Sequence, residues 1–363
     1  MGNACIRARS PAFPIRSPQG PNGPIRSAQF HDQRDCPPFR DTGPCRTTAA
    51  EEHGWMRHRT SLPTRLGSTF AIGDAAAAGV TRWRRDTPDL HRPFRGVRTL
   101  EAPTTFARRI ECYQPRMKPG HRFVGRTAAR IWGLPLPQKW SIDEKVEVAV
   151  PHDRTPPGSR GVKGRRLSLH LAQTHRIGRI RVVDPLAAVL TCARELTEDQ
   201  AVVMLDALLT PADNYPDLLV GRPVYTIAEI EDRIAAWRRF PGRETIRAAL
   251  RRARPRVESP KETETRLLIT RAGLPEPVIQ YDITDRDRVI ARADLAYPAL
   301  KIAIEYEGDG HRSSRDQWRR DIQRHRDLED RGWIVIRLTQ LDLDDGAASA
   351  LSRIRRALLS RSS

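Results

Sequence analysis

Two short apolar stretches near the end of the 363-residue chain, each with carboxylates set into it, constrain its fold more than any other feature. Lys301-Ile-Ala-Ile-Glu-Tyr-Glu307 alternates strictly, so a strand here turns Ile302, Ile304 and Tyr306 one way and Lys301, Ala303, Glu305 and Glu307 the other. Val289-Ile-Ala-Arg-Ala-Asp-Leu-Ala-Tyr297 reads as the preceding strand, stopped by Pro298. Paired as a hairpin, the two bring Asp294 beside the strand that carries Glu305 and Glu307, next to Gly308-Asp-Gly-His311. A lone pair of strand acids is usually a solvated face. Three converging at a sheet end repel one another unless a cation neutralises them, and hard oxygen ligands of this kind suit Mg²⁺.

The flanking elements can enclose such a site. Ser259 can cap a helix that runs to Gly273, with Glu262 three residues on. Glu262 therefore has an ordinary reading as that capping carboxylate. Val278–Tyr281 is a further strand. A helix is expected from Asp316 to Arg331, with Trp318, Ile322 and Leu328 buried and Arg319, Arg320, Arg324 and Arg326 available to phosphates. After Gly332, Trp333–Leu338 returns as a strand. The order helix, strands, helix, strand predicts a small mixed sheet covered by helices.

Residues 259–345 resemble the DUF559 family, a Vsr-like branch of the PD-(D/E)XK endonucleases. The resemblance is carried by Ser259-Pro-x-Glu262-Thr263, Asp294-Leu-Ala-Tyr-Pro298, Glu305-Tyr-Glu-Gly308-x-Gly-His311, Trp318-x-x-Asp321-x-x-Arg324, and Leu328 through Gly332-Trp333 to Arg337. The family usually has Asp where this chain has Glu307, and Glu307 also stands where the superfamily name has its Lys. The resemblance implies that Asp294 and Glu305 bind Mg²⁺ or Mn²⁺, that Glu307 orients or deprotonates a water, and that Glu262 completes the outer metal shell. It further implies that Asp321 holds the geometry of Arg324. His311 either donates to the scissile phosphate or leaving oxygen, or fixes the following loop.

Upstream, Phe70–Gly79 reads as a short helix, with Thr81 capping a second one that carries Arg82, Arg84 and Arg85. The basic stretch His91–Arg98 reads as a hairpin or wing, completing a winged helix-turn-helix layout over 66–101. A helical hairpin with a solvated basic face would leave the same pattern. Residues 104–250 read as an α/β and helical module, with a helix from Thr127 to Gly133 and strands over 145–150 and 162–167. A strand then leads into a helix with Asp184 at its start and Pro185 in its first turn, and helices follow at 197–209 and 227–239. From about 66 to 210 the chain resembles AbiEi-type antitoxin and transcriptional-regulator proteins, through Phe70–Arg98, Gly125-Arg-Thr-Ala-Ala-Arg-Ile-Trp-Gly-Leu-Pro135 and Val183-Asp-Pro185. That resemblance implies DNA binding through Arg82, Arg84 and Arg85.

Composition agrees with a nucleic-acid partner: 63 Lys and Arg against 44 Asp and Glu give a net charge of +19. An Arg-rich background composition would raise the charge as well. The five cysteines show no C-x-x-C spacing, which fits a reducing, cytoplasmic setting better than a disulfide or zinc scaffold. No apolar run approaches the roughly 18 residues of a membrane span. Residues 1–55 are rich in Pro, Gly and Arg without periodicity; they read as disordered, or as an extension ahead of a start at Met56. Arg251–Arg256 reads as a basic linker before the 259–345 domain, and 346–363 as a C-terminal helix or tail. The function expected from sequence is a multi-domain α/β, metal-dependent DNA endonuclease recruited by its N-terminal module. The alternative is a non-catalytic DNA-binding regulator, with an antitoxin-like protein partner on the central module; exposed apolar patches around Trp132 and Leu134 would favour such a partner.

Overall fold

A computed structural model of the chain describes residues 60–308, 315–344 and 347–362; within the helix that begins at Arg315, side chains are described from Ile322 onward. The segment 1–55 lies outside the described residues.

The N-terminal module is small. Strands β1 (Thr69–Ala71) and β2 (Val97–Thr99) pair antiparallel, with Phe70 opposite Arg98. Helix α1 (Ile72–Ala77) follows β1 directly, so Phe70 belongs to a strand and not to the expected helix. The turn at Gly79, with φ of +81°, leads to α2 (Arg82–Arg85). Thr81 caps α2 as its sequence predicts, its hydroxyl accepting from the Arg84 amide at 3.2 Å. Asp86-Thr-Pro88 ends that helix after four residues. Phe70, Ala75, Val80 and Leu90 form the module's core.

Helix α3 (Phe106–Tyr113) leads into a six-stranded mixed sheet. Its strands are β3 (Arg122–Phe123), β4 (Val146–Val150), β5 (Gly158–Ser159), β6 (Val162–Arg166), β7 (Thr174–Ile177) and β8 (Ile180–Val183), in the order β5-β6-β4-β3-β8-β7. Helix α4 (Gly125–Ile131) lies between β3 and β4 in the chain, and α5 (Pro185–Cys192) follows β8. Asp184 and Pro185 stand at the start of α5 as the sequence predicts, and Asp184 caps the helix by accepting from the Ala187 amide. The amphipathic or apolar helices α6 (Glu198–Leu209), α7 (Ile227–Ala236) and α8 (Arg243–Arg252) complete the module. Trp132 and Leu134 are buried, and the Trp132 indole donates to the Val183 carbonyl at 2.7 Å, so they form no exposed patch.

The C-terminal part starts with α9 (Pro260–Arg271). Strands β9 (Val278–Asp285), β10 (Arg288–Tyr297) and β11 (Ile302–Tyr306) form an antiparallel meander. Helix α10 (Arg315–Asp330) then crosses over to β12 (Ile334–Leu338), which pairs parallel to β11. One face of this sheet carries Leu295, Ile302, Ile304 and Ile336, covered by Ile269 of α9 and by Ala350, Ile354 and Leu358 of α12 (Ala348–Arg361); the short α11 (Gln340–Asp344) precedes α12. On the other face Ala293, Ala296 and Ala303 meet Leu328 of α10. The last helix is thus part of the core and not a tail. The chain is a mixed α/β protein, and among its described residues no helix is long and apolar enough to cross a membrane.

The stretch read as a basic linker is firmly held. Asp206 of α6, fully buried, accepts from the Arg254 amide at 2.7 Å, from the Thr263 hydroxyl at 2.9 Å and from the Arg266 guanidinium at 2.8 Å. Arg266, itself 1% exposed, also donates to the Arg252 carbonyl and to Glu276. Burial pushes the Asp206 carboxyl up to about 6, against the pull of Arg266 and the other donors. Removing one partner of a buried ion pair leaves the other uncompensated. Asp206→Ala is therefore expected to lower unfolding free energy by about 3–5 kcal/mol, read from urea denaturation. A loss within the ordinary surface range of about 0.5 kcal/mol would mean that the pair does not hold α9 in place.

Candidate active site

Glu262 takes its position from the start of α9. The Ser259 hydroxyl accepts from the Glu262 amide at 3.2 Å, and Pro260 suits the first helical position. The Glu262 carboxylate turns back and its Oε2 accepts from the Glu258 amide at 3.0 Å. The capping reading is thus realised, with the reciprocal donor one residue earlier than in a standard capping box. The same oxygen accepts from Gln280 Nε2 at 2.8 Å, and both side chains are buried. Burial raises the Glu262 carboxyl, and these donors oppose the rise.

Asp294 and Glu305 meet through strand register. The pairs Tyr297–Ile302, Ala296–Ala303 and Leu295–Ile304 end one residue short of Asp294 and Glu305, which places the two carboxylates near each other at the end of the pairing. There the Asp294 side chain replaces the ladder, its Oδ2 accepting from the Tyr306 amide at 2.9 Å. Burial first, then the charges of Glu262 and Glu305, push the Asp294 carboxyl up to about 7. Glu305 is 6% exposed. Its Oε2 accepts from Arg324 Nη2 of α10 at 3.3 Å, while its buried Oε1 has no hydrogen-bond partner among the described residues. Burial raises this carboxyl too, with Arg324 and Arg337 acting in the opposite sense.

Glu307 lies just past β11, where its amide donates to the Leu338 carbonyl at 2.7 Å. Its carboxylate stands 3.4 Å from Arg337 Nε, and Arg337 is the register partner of Glu305 on β12. His311 and the side chains of Arg320 and Asp321 lie outside the described residues. Sequence reasoning missed Gln280. It sits opposite Asp294, between the pairs Ile279–Leu295 and Tyr281–Ala293, with φ of +48°. A left-handed, buried polar residue within a strand has no sequence signal; only its contact with Glu262 reveals its role.

These donors suit a hard divalent cation such as Mg²⁺ or Mn²⁺, because Mg²⁺ commonly takes one or two carboxylates and keeps waters and phosphate oxygens around it. Asp294 and Glu305 are the pair that could hold one, and Glu305 Oε1, without a partner among the described residues, is the clearest available acceptor. Among the described residues, no group of three or more His, Cys, Asp and Glu side chains is gathered to hold a metal.

The N-terminal arginines separate into different roles. Arg84, expected at a DNA surface, is buried and donates to the Thr60 carbonyl, the Thr87 hydroxyl and Asp89. It is part of the module's framework, because the third residue of the single-turn α2 faces inward. Arg85 is half-buried, and donates to the Thr81 and Ile72 carbonyls at 3.3 Å each. Arg82 alone of the three is exposed, beside an exposed Trp83.

No family model matches the chain. Over 187 residues it is 29% identical to the uncharacterized protein MT2308 of Mycobacterium tuberculosis strain CDC 1551 / Oshkosh, and equally to the uncharacterized protein Rv2248 of strain ATCC 25618 / H37Rv. The matched stretch is 52% of this chain and 65% of each relative, so the chain spans just under two thirds of the relatives' length. The crystal structure of the RV2827C protein from Mycobacterium tuberculosis aligns with 58% of this chain and 78% of that one, at 15% identity and a TM-score of 0.32. So low a score carries no argument about fold.

A carboxyl with a raised folded pKa holds its proton more tightly in the folded than in the unfolded chain. The stability it contributes is full below the unfolded value of about 3.9 and is lost as pH climbs through the folded value. For Asp294 that window closes through about 7. Asp294→Asn, which keeps an oxygen for the Tyr306 amide, is expected to melt above the parent at about pH 8 in EDTA and to lose that advantage progressively as pH falls toward about 4. Equal melting temperatures at both pH values would mean that Asp294 is not strained by its neighbours.

Proposed function

We propose that the chain is a metal-dependent DNA endonuclease or nickase of the PD-(D/E)XK type, with a DUF559-like, Vsr-like catalytic domain. The observation that carries this reading is the strain among Asp294, Glu305 and Glu262. Two buried carboxylates and the half-buried Asp294 lie within electrostatic reach, all are raised by desolvation, and one oxygen among them has no donor among the described residues. Such an arrangement is unfavourable for a solvated face and suitable for a cation site.

When bound by Asp294 and Glu305, the metal would lower the pKa of a water and polarise a phosphoryl oxygen. Gln280 and the Glu258 amide hold Glu262 beside Asp294, and Arg324, already at Glu305, is placed to meet phosphate charge. Glu307 orients the attacking water and takes its proton. The water oxygen then bonds to phosphorus, the bond to the sugar oxygen breaks, and that oxygen gains a proton from solvent. The N-terminal module, read as a short winged helix-turn-helix, recruits DNA through Arg82, with Arg84 serving as framework.

A second reading is favoured by one observation: Arg324 and Arg337 already stand against Glu305 and Glu307 and supply cations of the protein's own. On that reading the domain is a binding platform in a DNA-binding regulator. The two readings differ in a supercoiled-plasmid assay with Mg²⁺, Mn²⁺ or EDTA. The nuclease reading expects metal-dependent nicking or cutting, reduced about 100-fold or more in Glu305→Ala, with DNA affinity kept or raised because a negative charge is gone. Cutting at parental rate by that variant would put the centre elsewhere. No cutting of supercoiled, linear, mismatched or single-stranded DNA would favour the platform.

A further inference from the structure

The segment that sequence read as a linker ends a helix with an arginine row along one face. Arg243, Arg247 and Arg251 recur every fourth residue of α8, one per turn, over about 12 Å of helix. The adjacent face, with Ile246, Ala249 and Leu250, is buried, which leaves Arg247 and Arg251 turned outward. Arg247 and Arg251 are exposed. The row borders two adjoining concavities, of about 520 and 530 Å³, and Arg243 lines both. The first also holds Arg251 and Arg254; the second holds the exposed Arg238 and Arg239 of the preceding loop.

Few carboxylates offset this charge. Glu244 pairs with Arg243 at 3.0 Å and approaches Arg247 only to 3.6 Å, while its own side chain is 78% exposed. Glu276 takes Arg254, and Glu231 lines the first concavity. Arg238, Arg239 and Arg251 have no ion-pair partner among the described residues. None of the arginines named here belongs to the carboxylate site or to the N-terminal module.

We infer that this row is a separate, sequence-independent contact for the phosphate backbone of duplex DNA. Guanidinium groups about 6 Å apart along a helix suit a line of phosphates, which they meet with forked donors. Single-strand binding would call for free aromatic faces on which bases stack. Here the neighbouring rings, Trp237 and Phe240, instead pack edge-to-face on each other with centroids 5.7 Å apart. The row also leads toward the acids. Arg256, just beyond it, donates to the Gln280 carbonyl, and the chain then enters α9, whose first turn carries Glu262.

The test is fluorescence anisotropy of the full chain on a duplex of arbitrary sequence, titrated from about 50 to 300 mM salt in EDTA, where metal-dependent cleavage cannot occur. It therefore stands or falls independently of the nuclease reading. Arg247→Gln with Arg251→Gln is expected to weaken binding about tenfold and to flatten the salt slope by about two units. The corresponding Lys pair should stay within about twofold of the parent. Arg238→Gln with Arg239→Gln, outside the helix, should repeat the slope change should the first pair alter α8. A role in folding alone would move the melting temperature and leave the slope intact. Unchanged slope and affinity in both Gln pairs, or binding to anionic vesicles in place of duplex, would overturn the inference.

Discussion

The desolvation of clustered acids, with like-charge repulsion at Asp294, organises the C-terminal part of the molecule. Asp294 and Glu305 lie near each other at the end of the β10–β11 pairing, and Glu262 is brought to them from a helix start. Each is held by a specific donor: the Tyr306 amide at Asp294, the Glu258 amide and Gln280 at Glu262, and Arg324 at Glu305. These donors offset part of the desolvation cost without removing it, because all three carboxyls remain raised. The residual cost is what a divalent cation would relieve, and it links the fold to the chemistry proposed for it.

Helix α9 joins that site to the rest of the chain. One side carries Glu262, and the next residue, Thr263, together with Arg266, reaches the buried Asp206 of the central module. Glu262 is thereby positioned from two directions, by Gln280 of the sheet and by the anchor at Asp206. The central module thus acts as a support for the acid site as well as a body of its own.

Much of this was legible in the sequence wherever local pattern decides structure. Period-two alternation correctly separated Ile302, Ile304 and Tyr306 from Ala303 and Glu305, and the caps at Thr81, Asp184 and Ser259 all formed. What could not be read depends on contacts distant in the chain. Asp206 sits in an apolar helix, and its partner Arg266 is 60 residues away. In an arginine-rich chain, nothing local distinguishes Arg84, turned inward onto Asp89, from the exposed Arg82. Arginine density also hid α8, since Arg251–Arg256 looked like a linker while Ile246, Ala249 and Leu250 were forming its buried face.

Arginine therefore plays three parts in this molecule: framework at Arg84 and Arg266, counter-charge at Arg324 and Arg337, and open surface along α8. The acids beside the second group, Asp294 and Glu305, are proposed to take up a divalent cation. Thermal unfolding during a Mn²⁺ titration at about pH 8, with the parent beside an Asp294→Asn, Glu305→Gln double variant, addresses that proposal most directly. A saturable rise in the parent's melting temperature, of several degrees at excess metal and absent in the variant, is expected. No rise in the parent, or an equal rise in both, would contradict the proposal.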